Sequence, residues 1–303
     1  MYSEKLEEVI SAALADGNLT DQKRNIIMRR AEKEGEDVEE VMMVVESRLL
    51  NQTKKQSNQS QSKSESKEEV ANGDFVETVN GVSFKMIKVL GGKFTMFSMS
   101  QASCIPGKPQ EVVLDDYYIC DTVVTQELWK AVMGRNFPLL SFVGDLLPVN
   151  NLTWEESYQF INKLSALTNR NYHLPSEAQW EYAAIGGKKS LGFKHAGSDD
   201  LKKVGWANVN ELKPVAQLMP NELGLYDMSG NLWEWCWNKG GVYSKKTEVN
   251  PISLFDENNQ RVIRGGGDGS PESSCEVTYT NSDEPNVKSW YYGFRLCRSI
   301  RKR

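Results

Sequence analysis

The side chains best suited to nucleophilic, redox or metal chemistry are few and scattered in this sequence. Its five cysteines lie at positions 104, 120, 236, 275 and 297, and no CxxC pair occurs. An odd number of isolated cysteines fits neither a disulfide scaffold nor a zinc site. The two histidines, His173 and His195, are too few for a multi-histidine metal centre. Residue type and spacing alone therefore predict no chemistry of these kinds.

Composition indicates a folded protein and excludes several classes of partner. The chain has 303 residues, of which 39% are hydrophobic and 25% charged, and its net charge is −5. An acidic balance disfavours nucleic acid, because phosphate binding needs a surplus of Lys and Arg. The apolar runs are too short to span a membrane, and the acidic start is unlike a signal peptide. We therefore expect a soluble chain made in the cytoplasm, while display on a cell or virion surface by another route stays open.

Three parts of unlike composition follow one another along the chain. Residues 1–50 show helical spacing of apolar residues with capping signals at Thr20, Gly35 and Asp37, which predicts a small three-helix module. Residues 51–73 are rich in Gln, Ser, Lys and Asn, which predicts a flexible linker. Residues 74–303 form the larger domain. About 50 residues give a marginal core, so we expect the helical module to self-associate or to dock on a partner.

The larger domain alternates short strands, a few helices and long loops. Apolar patterns predict strands around Phe84–Val89, Phe94–Met96 and Val112–Ile119, the first two being joined at Gly91-Gly92. Helices are predicted over Thr125–Val132, Trp154–Leu167 and Ser176–Ala184. Beyond residue 190 the chain is rich in Gly, Asn and Asp. This mixture predicts an α+β, loop-rich fold and not a doubly wound sheet.

Two long motifs are too distinctive to be explained by composition. They are YHLPSEAQWEYAAIGG, from Tyr172 to Gly187, and PNELGLYDMSGNLWEW, from Pro220 to Trp235. RVIRGGG at 261–267 and GFRL at 293–296 follow in order. Together they resemble the formylglycine-generating-enzyme/sulfatase-modifying-factor domain over roughly residues 78–298. The resemblance implies a C-type-lectin-like fold with little regular secondary structure.

The two motifs also carry local physical signals of their own. Ser176 followed by Gln179 has the spacing of a capping box, which favours a helix start. Glu177 and Glu181 are expected to face outward at i,i+4. Trp233 and Trp235 alternate with Glu234, which predicts one aromatic strand face.

The resemblance also implies a possible structural calcium ion, since Asn231 and Glu234 lie where many family members bind one. The competing interpretation is that Asn231 caps a turn and Glu234 pairs with an arginine. No other cofactor is implied.

The enzymatic signature of the family is incomplete in this chain. Catalytic members place two cysteines five residues apart after the RGG turn, and the pair binds copper and activates oxygen to oxidise a substrate cysteine. Counting from Arg264, these positions hold Ser270 and Cys275. Two soft thiolates suit Cu(I), whereas a hydroxyl does not. We therefore expect no catalytic residues, with Cys275 a small buried side chain.

The segment between RGG and GFR departs most from the enzyme pattern and resembles the variable segment of diversity-generating-retroelement variable proteins, a bacterial and phage class. In those proteins this segment forms a ligand-binding surface. Its mixture of Tyr, Trp, Ser, Asn and Asp suits adaptable binding. The predicted ligand-binding residues, expected to cluster on one exposed face, are Asp268, Ser270, Glu272, Ser274, Glu276, Thr280, Ser282, Asp283, Val287, Ser289, Trp290 and Tyr291.

The resemblances thus favour a non-catalytic binding protein with a C-terminal surface at about residues 265–292, whose partner is an unknown protein or surface ligand. The alternatives are a copper-dependent formylglycine-generating-type oxidase with an altered active site and a structural or assembly role for the whole chain. For the segment itself, the competing interpretation is a degenerate family member with ordinary surface loops.

Overall fold

The structure of the protein is a computed structural model. It describes residues 3–14, 19–36, 38, 41–42, 45, 73–97, 109–134, 143–208, 211–240, 247–252, 259–267 and 269–300. The chain divides into two compact units, Met1–Val70 and Ala71–Arg303. No helix in these described ranges is both long and apolar enough to cross a membrane.

The N-terminal unit packs short helices around a small apolar core. Its first two helices are α1, Glu4–Leu14, and α2, Asp21–Glu34. Thr20 caps the start of α2, and Gly35 ends it in the left-handed conformation, as the sequence predicts. Residues 38, 41, 42 and 45 are also helical, and their buried valines join the core with Leu6 and Ile10. The predicted start of that third helix at Asp37 lies outside the described residues, as does the predicted linker except for Gly73.

The three predicted helices of the larger unit are confirmed, each with its predicted cap. Thr125, Thr153 and Ser176 accept backbone N–H bonds in the first turn, the last two within complete capping boxes. These local signals fix where each helix begins. The helices are α3, Gln126–Met133, α4, Trp154–Thr168, and α5, Glu177–Ala184, followed by the single-turn α6, Leu201–Val204.

The strands are short, and most of the chain between them is loop, so the α+β prediction is confirmed. They are β1, Phe75–Val79; β2, Val82–Val89; β3, Lys93–Met96; β4, Gln110–Val113; β5, Tyr117–Cys120; β6, Tyr172–His173; β7, Trp233–Lys239; β8, Thr247–Val249; β9, Arg261–Arg264; β10, Thr280–Asp283; β11, Tyr292–Phe294; and β12, Cys297–Ser299. Among the described residues they form sheets ordered β1-β2-β5-β12-β6, β10-β9-β7-β11 and β3-β4-β8.

One predicted strand was wrong, because the segment Val112–Ile119 divides into β4 and β5. The chain leaves the three-stranded sheet at Leu114 and enters the five-stranded sheet at Tyr117. Gly91 sits against this bend, where its N–H donates to the Asp116 carboxylate at 2.8 Å. A Cβ at position 91 would lie 2.2 Å from the Leu114 carbonyl oxygen, so glycine is required there. These contacts are long-range and leave no trace in the apolar pattern.

The four-stranded sheet β10-β9-β7-β11 separates two layers of core. Alternation along β7 places Trp233 and Trp235 on one face and Glu234 and Cys236 on the other. The tryptophan face joins a cluster with Phe294, which confirms the predicted aromatic face. Helix α5 lies on the opposite face.

Candidate binding surface

The C-terminal segment, residues 265–292, leaves β9 and returns to the same sheet at β11. It contains the 3₁₀ helix Glu272–Cys275 and strand β10. Strands β10 and β11 are the two outer strands of the sheet, so residues 284–291 pass from one edge to the other. Gly266 makes the first turn at a φ of +73°, and a Cβ there would lie 2.7 Å from the Cys275 Sγ. The turn therefore needs glycine.

The first half of the segment is held to the scaffold through its backbone. The Cys275 carbonyl accepts from His195 Nδ1 at 3.0 Å, and the Val277 N–H donates to the Lys194 carbonyl at 2.9 Å. The Arg264 guanidinium donates to the carbonyls of Val277 and Tyr279. Because main-chain atoms make these bonds, they place little demand on the identity of the side chains between them.

The second half is held in the same way by groups from α4, β7 and the loop before α4. Asn150 and Asn151 are two such groups, and the sequence analysis missed them because they lie about 140 residues before their partners. The bonds are Trp154 N–H to the Pro285 carbonyl at 2.9 Å, Asn151 N–H to Ser289 at 3.0 Å, Asn150 Nδ2 to Trp290 at 2.7 Å, and Trp233 N–H to Tyr291 at 2.7 Å.

Beneath the segment, the face of the sheet that packs on α5 carries buried ion pairs. Arg295 donates to both carboxylate oxygens of Glu234 at 2.9 Å, and Trp180 Nε1 donates to Oε2 at 2.9 Å. Arg264 pairs with Glu181, and both side chains are buried. Burial raises the pKa of Glu181 to about 7, against the opposing effect of Arg264. The arginine pairing of Glu234 given above as an alternative is therefore confirmed.

The prediction that Glu177 and Glu181 face outward was wrong. Both are buried, because the side of α5 that carries them packs on the face of the four-stranded sheet that carries Glu234. Glu177 accepts from the Thr280 hydroxyl at 2.7 Å, and its N–H donates to the Asn238 amide oxygen at 2.8 Å. Each carboxylate thus finds its partner on a strand that lies far away in sequence.

The exposed aromatic side chains of the segment are Trp290 and Tyr291. Each is 41% exposed. The Tyr291 hydroxyl lies 4.0 Å from the position of a Cβ on Gly269. Ser270, next to Gly269, accepts from the Trp233 indole N–H at 3.2 Å. The start and the end of the segment therefore meet above Trp233.

A second contact ties the end of the segment to β10. The Tyr292 hydroxyl donates to Asp283 at 2.5 Å, and its ring lies 5.1 Å from that of Trp235. Nearby, Lys288 pairs with Glu156 of α4 at 2.7 Å. The Ser289 hydroxyl accepts from the Tyr291 N–H at 3.2 Å, which makes it part of the local turn.

The predicted ligand-binding residues differ in exposure. Asp268 lies outside the described residues. Those exposed or half-buried are Ser270, Glu272, Glu276, Ser282, Asp283, Val287, Ser289, Trp290 and Tyr291. Ser274 and Thr280 were expected on the exposed face, and this was wrong because both are buried. Thr280 points toward α5 to reach Glu177, and Ser274 lies in the 3₁₀ helix against the Gly266 turn.

The two positions that correspond to the catalytic cysteines are poorly suited to hold copper. The Ser270 hydroxyl accepts from Trp233 and from the Gly267 N–H at 3.4 Å. Cys275 is fully buried, and burial raises the pKa of its thiol to about 12. A neutral buried thiol and a hydroxyl do not supply two thiolates. Across the described part of the chain, no three His, Cys, Asp or Glu side chains converge as a metal site would need.

The side chains that the resemblance implies for calcium are already engaged with protein groups. Asn231 accepts from the Lys213 N–H at 3.0 Å and donates to the Lys213 carbonyl at 3.1 Å. Glu234 is neutralised by Arg295. A calcium ion needs six to eight oxygen ligands, and a carboxylate held by a guanidinium is a poor one. These contacts do not fit a calcium site, although calcium binding itself stays a prediction.

Known proteins are similar to this chain in sequence and in structure. The chain is 30% identical over 271 residues to "Chaperone protein LppX" of Paenibacillus barcinonensis, covering 72% of this chain and 90% of that protein. It is 30% identical over 170 residues to the formylglycine-generating enzyme of Streptomyces coelicolor, covering 49% of this chain and 51% of the enzyme.

Among solved structures, Treponema denticola variable protein 1 superposes with a TM-score of 0.65 at 28% identity, over 74% of this chain and 98% of that one. It belongs to the variable-protein class that the C-terminal segment resembles. The family model described as "Sulfatase-modifying factor enzyme 1-like domain" matches residues 71–300. The chain therefore belongs to the sulfatase-modifying-factor, or formylglycine-generating-enzyme, domain family.

Proposed function

We propose that this protein is a non-catalytic binding protein that presents residues 265–292 as its ligand surface. The observation that carries the proposal is the way the segment is held. The scaffold bonds its main-chain carbonyls, while Trp290 and Tyr291 project to solvent. Exposed, well-positioned aromatic side chains dominate the energetics of protein interfaces.

The surface suits side chains that change while the fold stays the same. The hydrogen bonds that tie Ser289, Trp290 and Tyr291 to the scaffold involve their backbone. They are made by the carbonyls of these three residues, and the apolar side chain of Val287 makes none. A substitution there leaves those bonds intact. The similarity to Treponema denticola variable protein 1 supports the same function.

An altered oxidase is the weaker candidate. It needs a copper centre, and the two positions in question hold a hydroxyl and a neutral buried thiol. The proposal therefore assigns no catalytic residue.

A display library tests the proposal directly. One library randomises Val287, Ser289, Trp290 and Tyr291, and the matched library randomises four buried positions of the same segment, Ser274, Cys275, Val277 and Thr280. We expect a clearly larger fraction of the first library than of the second to resist proteolysis. Equal loss of folding in both libraries would remove the basis of the proposal.

Binding is tested by recovery of a partner from the native host. Wild type, Trp290→Ala and Tyr291→Ala are compared with Leu191→Ala, which removes a more exposed side chain elsewhere on the same unit. We expect wild type and Leu191→Ala to recover the same partner and the two aromatic variants to lose it. A partner retained by both aromatic variants contradicts the proposed surface.

A further inference from the structure

We propose that the surface around Trp290 and Tyr291 recognises a cationic, Arg- or Lys-rich segment of a partner protein. This inference rests on the proposed function and adds the chemical class of the ligand.

The first argument is the balance of charge. Residues 269–291 contain four acidic residues, Glu272, Glu276, Asp283 and Glu284, and one basic residue, Lys288. Lys288 is paired with Glu156 at 2.7 Å, and Glu272 lies 3.7 Å from His195 Nε2. The adjoining arginines, Arg264 and Arg295, are fully buried against Glu181 and Glu234 and present no charge to a ligand.

The second argument is where the carboxylates lie relative to the aromatic side chains. Tyr291 reaches Gly269, three residues before Glu272, whose side chain is 68% exposed. At the other end, Tyr292 binds Asp283, and the exposed Glu284 is the next residue. Carboxylates therefore occur close along the chain to both contacts that hold this end of the segment.

Two exposed charged residues lie on the scaffold near the segment. Glu155, at the start of α4, is exposed and precedes Glu156. The basic exception is Lys194, which is exposed where its carbonyl accepts from Val277. One lysine at that flank does not offset the four acidic residues of the segment.

The third argument is the chemistry of the groups around Trp290 and Tyr291. Asn150 is buried against Trp290 and gives its Nδ2 to the Trp290 carbonyl, and its Oδ1 has no partner among the described residues. Carboxylates and the faces of two aromatic rings attract cations at the surface, and the buried Asn150 amide oxygen is an acceptor. A guanidinium supplies five donors and binds aromatic faces, so it complements the carboxylates and the exposed rings.

The test is a selection with the full-length protein from a random displayed-peptide library, with counter-selection on Trp290→Ala. Selected peptides are then measured by fluorescence anisotropy at low and high salt. We expect them to be rich in Arg and Lys and to bind more weakly in high salt. Charge reversal in E272K/E284K should weaken binding about tenfold, since each exposed ion pair contributes a factor of a few.

The matched control is E8K/E32K, which changes net charge equally at two exposed carboxylates of the N-terminal unit. We expect it to bind like wild type. Equal weakening in both double variants would show a net-charge effect and overturn the inference. Trp290-dependent peptides without positive charge would overturn the cationic ligand and leave the proposed function standing. Failure to obtain any Trp290-dependent peptide would count against both.

Discussion

Truncating two tryptophans of the same sheet region should separate a core residue from a surface residue. Trp233 is 7% exposed and Trp290 is 41% exposed. A fully buried Trp removes roughly 200 Å² from water, which is worth about 5 kcal/mol at about 25 cal/mol per Å². Residual burial in the unfolded chain lowers such values by roughly 10–40%. We therefore expect Trp233→Ala to reduce the free energy of unfolding by about 3–4 kcal/mol and Trp290→Ala by about 2 kcal/mol.

Both free energies are measured by unfolding the larger unit in urea and following the transition by tyrosine and tryptophan fluorescence. The loss at Trp233 includes the hydrogen bond from its indole N–H to Ser270. Leu191→Ala, at an exposed side chain, is the control and should change stability by less than about 0.5 kcal/mol. If Trp290→Ala lowered the free energy of unfolding as much as Trp233→Ala does, Trp290 would be a core residue. The interpretation as a degenerate family member with ordinary surface loops would then be favoured.

Three further outcomes follow from the same structure. Incubation with Cu(I), oxygen and a cysteine-containing sulfatase peptide should give no formylglycine above a Cys275→Ala control, and mass spectrometry of the peptide decides this. Folding raises the pKa of Glu181 from 4.5 to about 7, so the native state binds this proton more tightly than the unfolded state does. The contribution of Glu181 to stability therefore falls as the pH rises between those values. Glu181→Gln should flatten this decrease in urea titrations from pH 4.5 to pH 7. Light scattering should find residues 74–303 monomeric and the full chain larger, and identical monomeric masses would refute self-association through residues 1–50.

Local features of the fold were predictable from the sequence, whereas long-range pairings were not. Thr153 and Ser176 cap their helices through bonds within one turn, so the capping-box spacing is sufficient evidence for them. Glu181 was misplaced because its partner, Arg264, is 83 residues away. An i,i+4 pair of glutamates is typical of an exposed helix face, and only the sheet packed on α5 reverses that expectation.

The candidate surface shows the same division. The family pattern predicts its position between RGG and GFR, and nine of the eleven predicted residues in the described range are exposed or partly buried. The two exceptions, Ser274 and Thr280, depend on where β10 and the 3₁₀ helix lie. The asparagines that hold Ser289 and Trp290 precede them by about 140 residues, and spacing along the chain carries no signal for such contacts.

The motifs that make the family recognisable are therefore largely structural in this chain. LPSEAQWEYAA supplies Trp180 and Glu181, and GNLWEW supplies Glu234, and these groups meet Arg264 and Arg295 in one buried layer. Removing one member of such a layer leaves an uncompensated buried charge, which costs about 3–5 kcal/mol, so the fold alone explains why these residues occur together. Membership of the family is thus explained by the scaffold that these motifs build. The proposed function lies instead in the segment that carries Trp290 and Tyr291, where the scaffold holds Ser289, Trp290 and Tyr291 through their main-chain carbonyls.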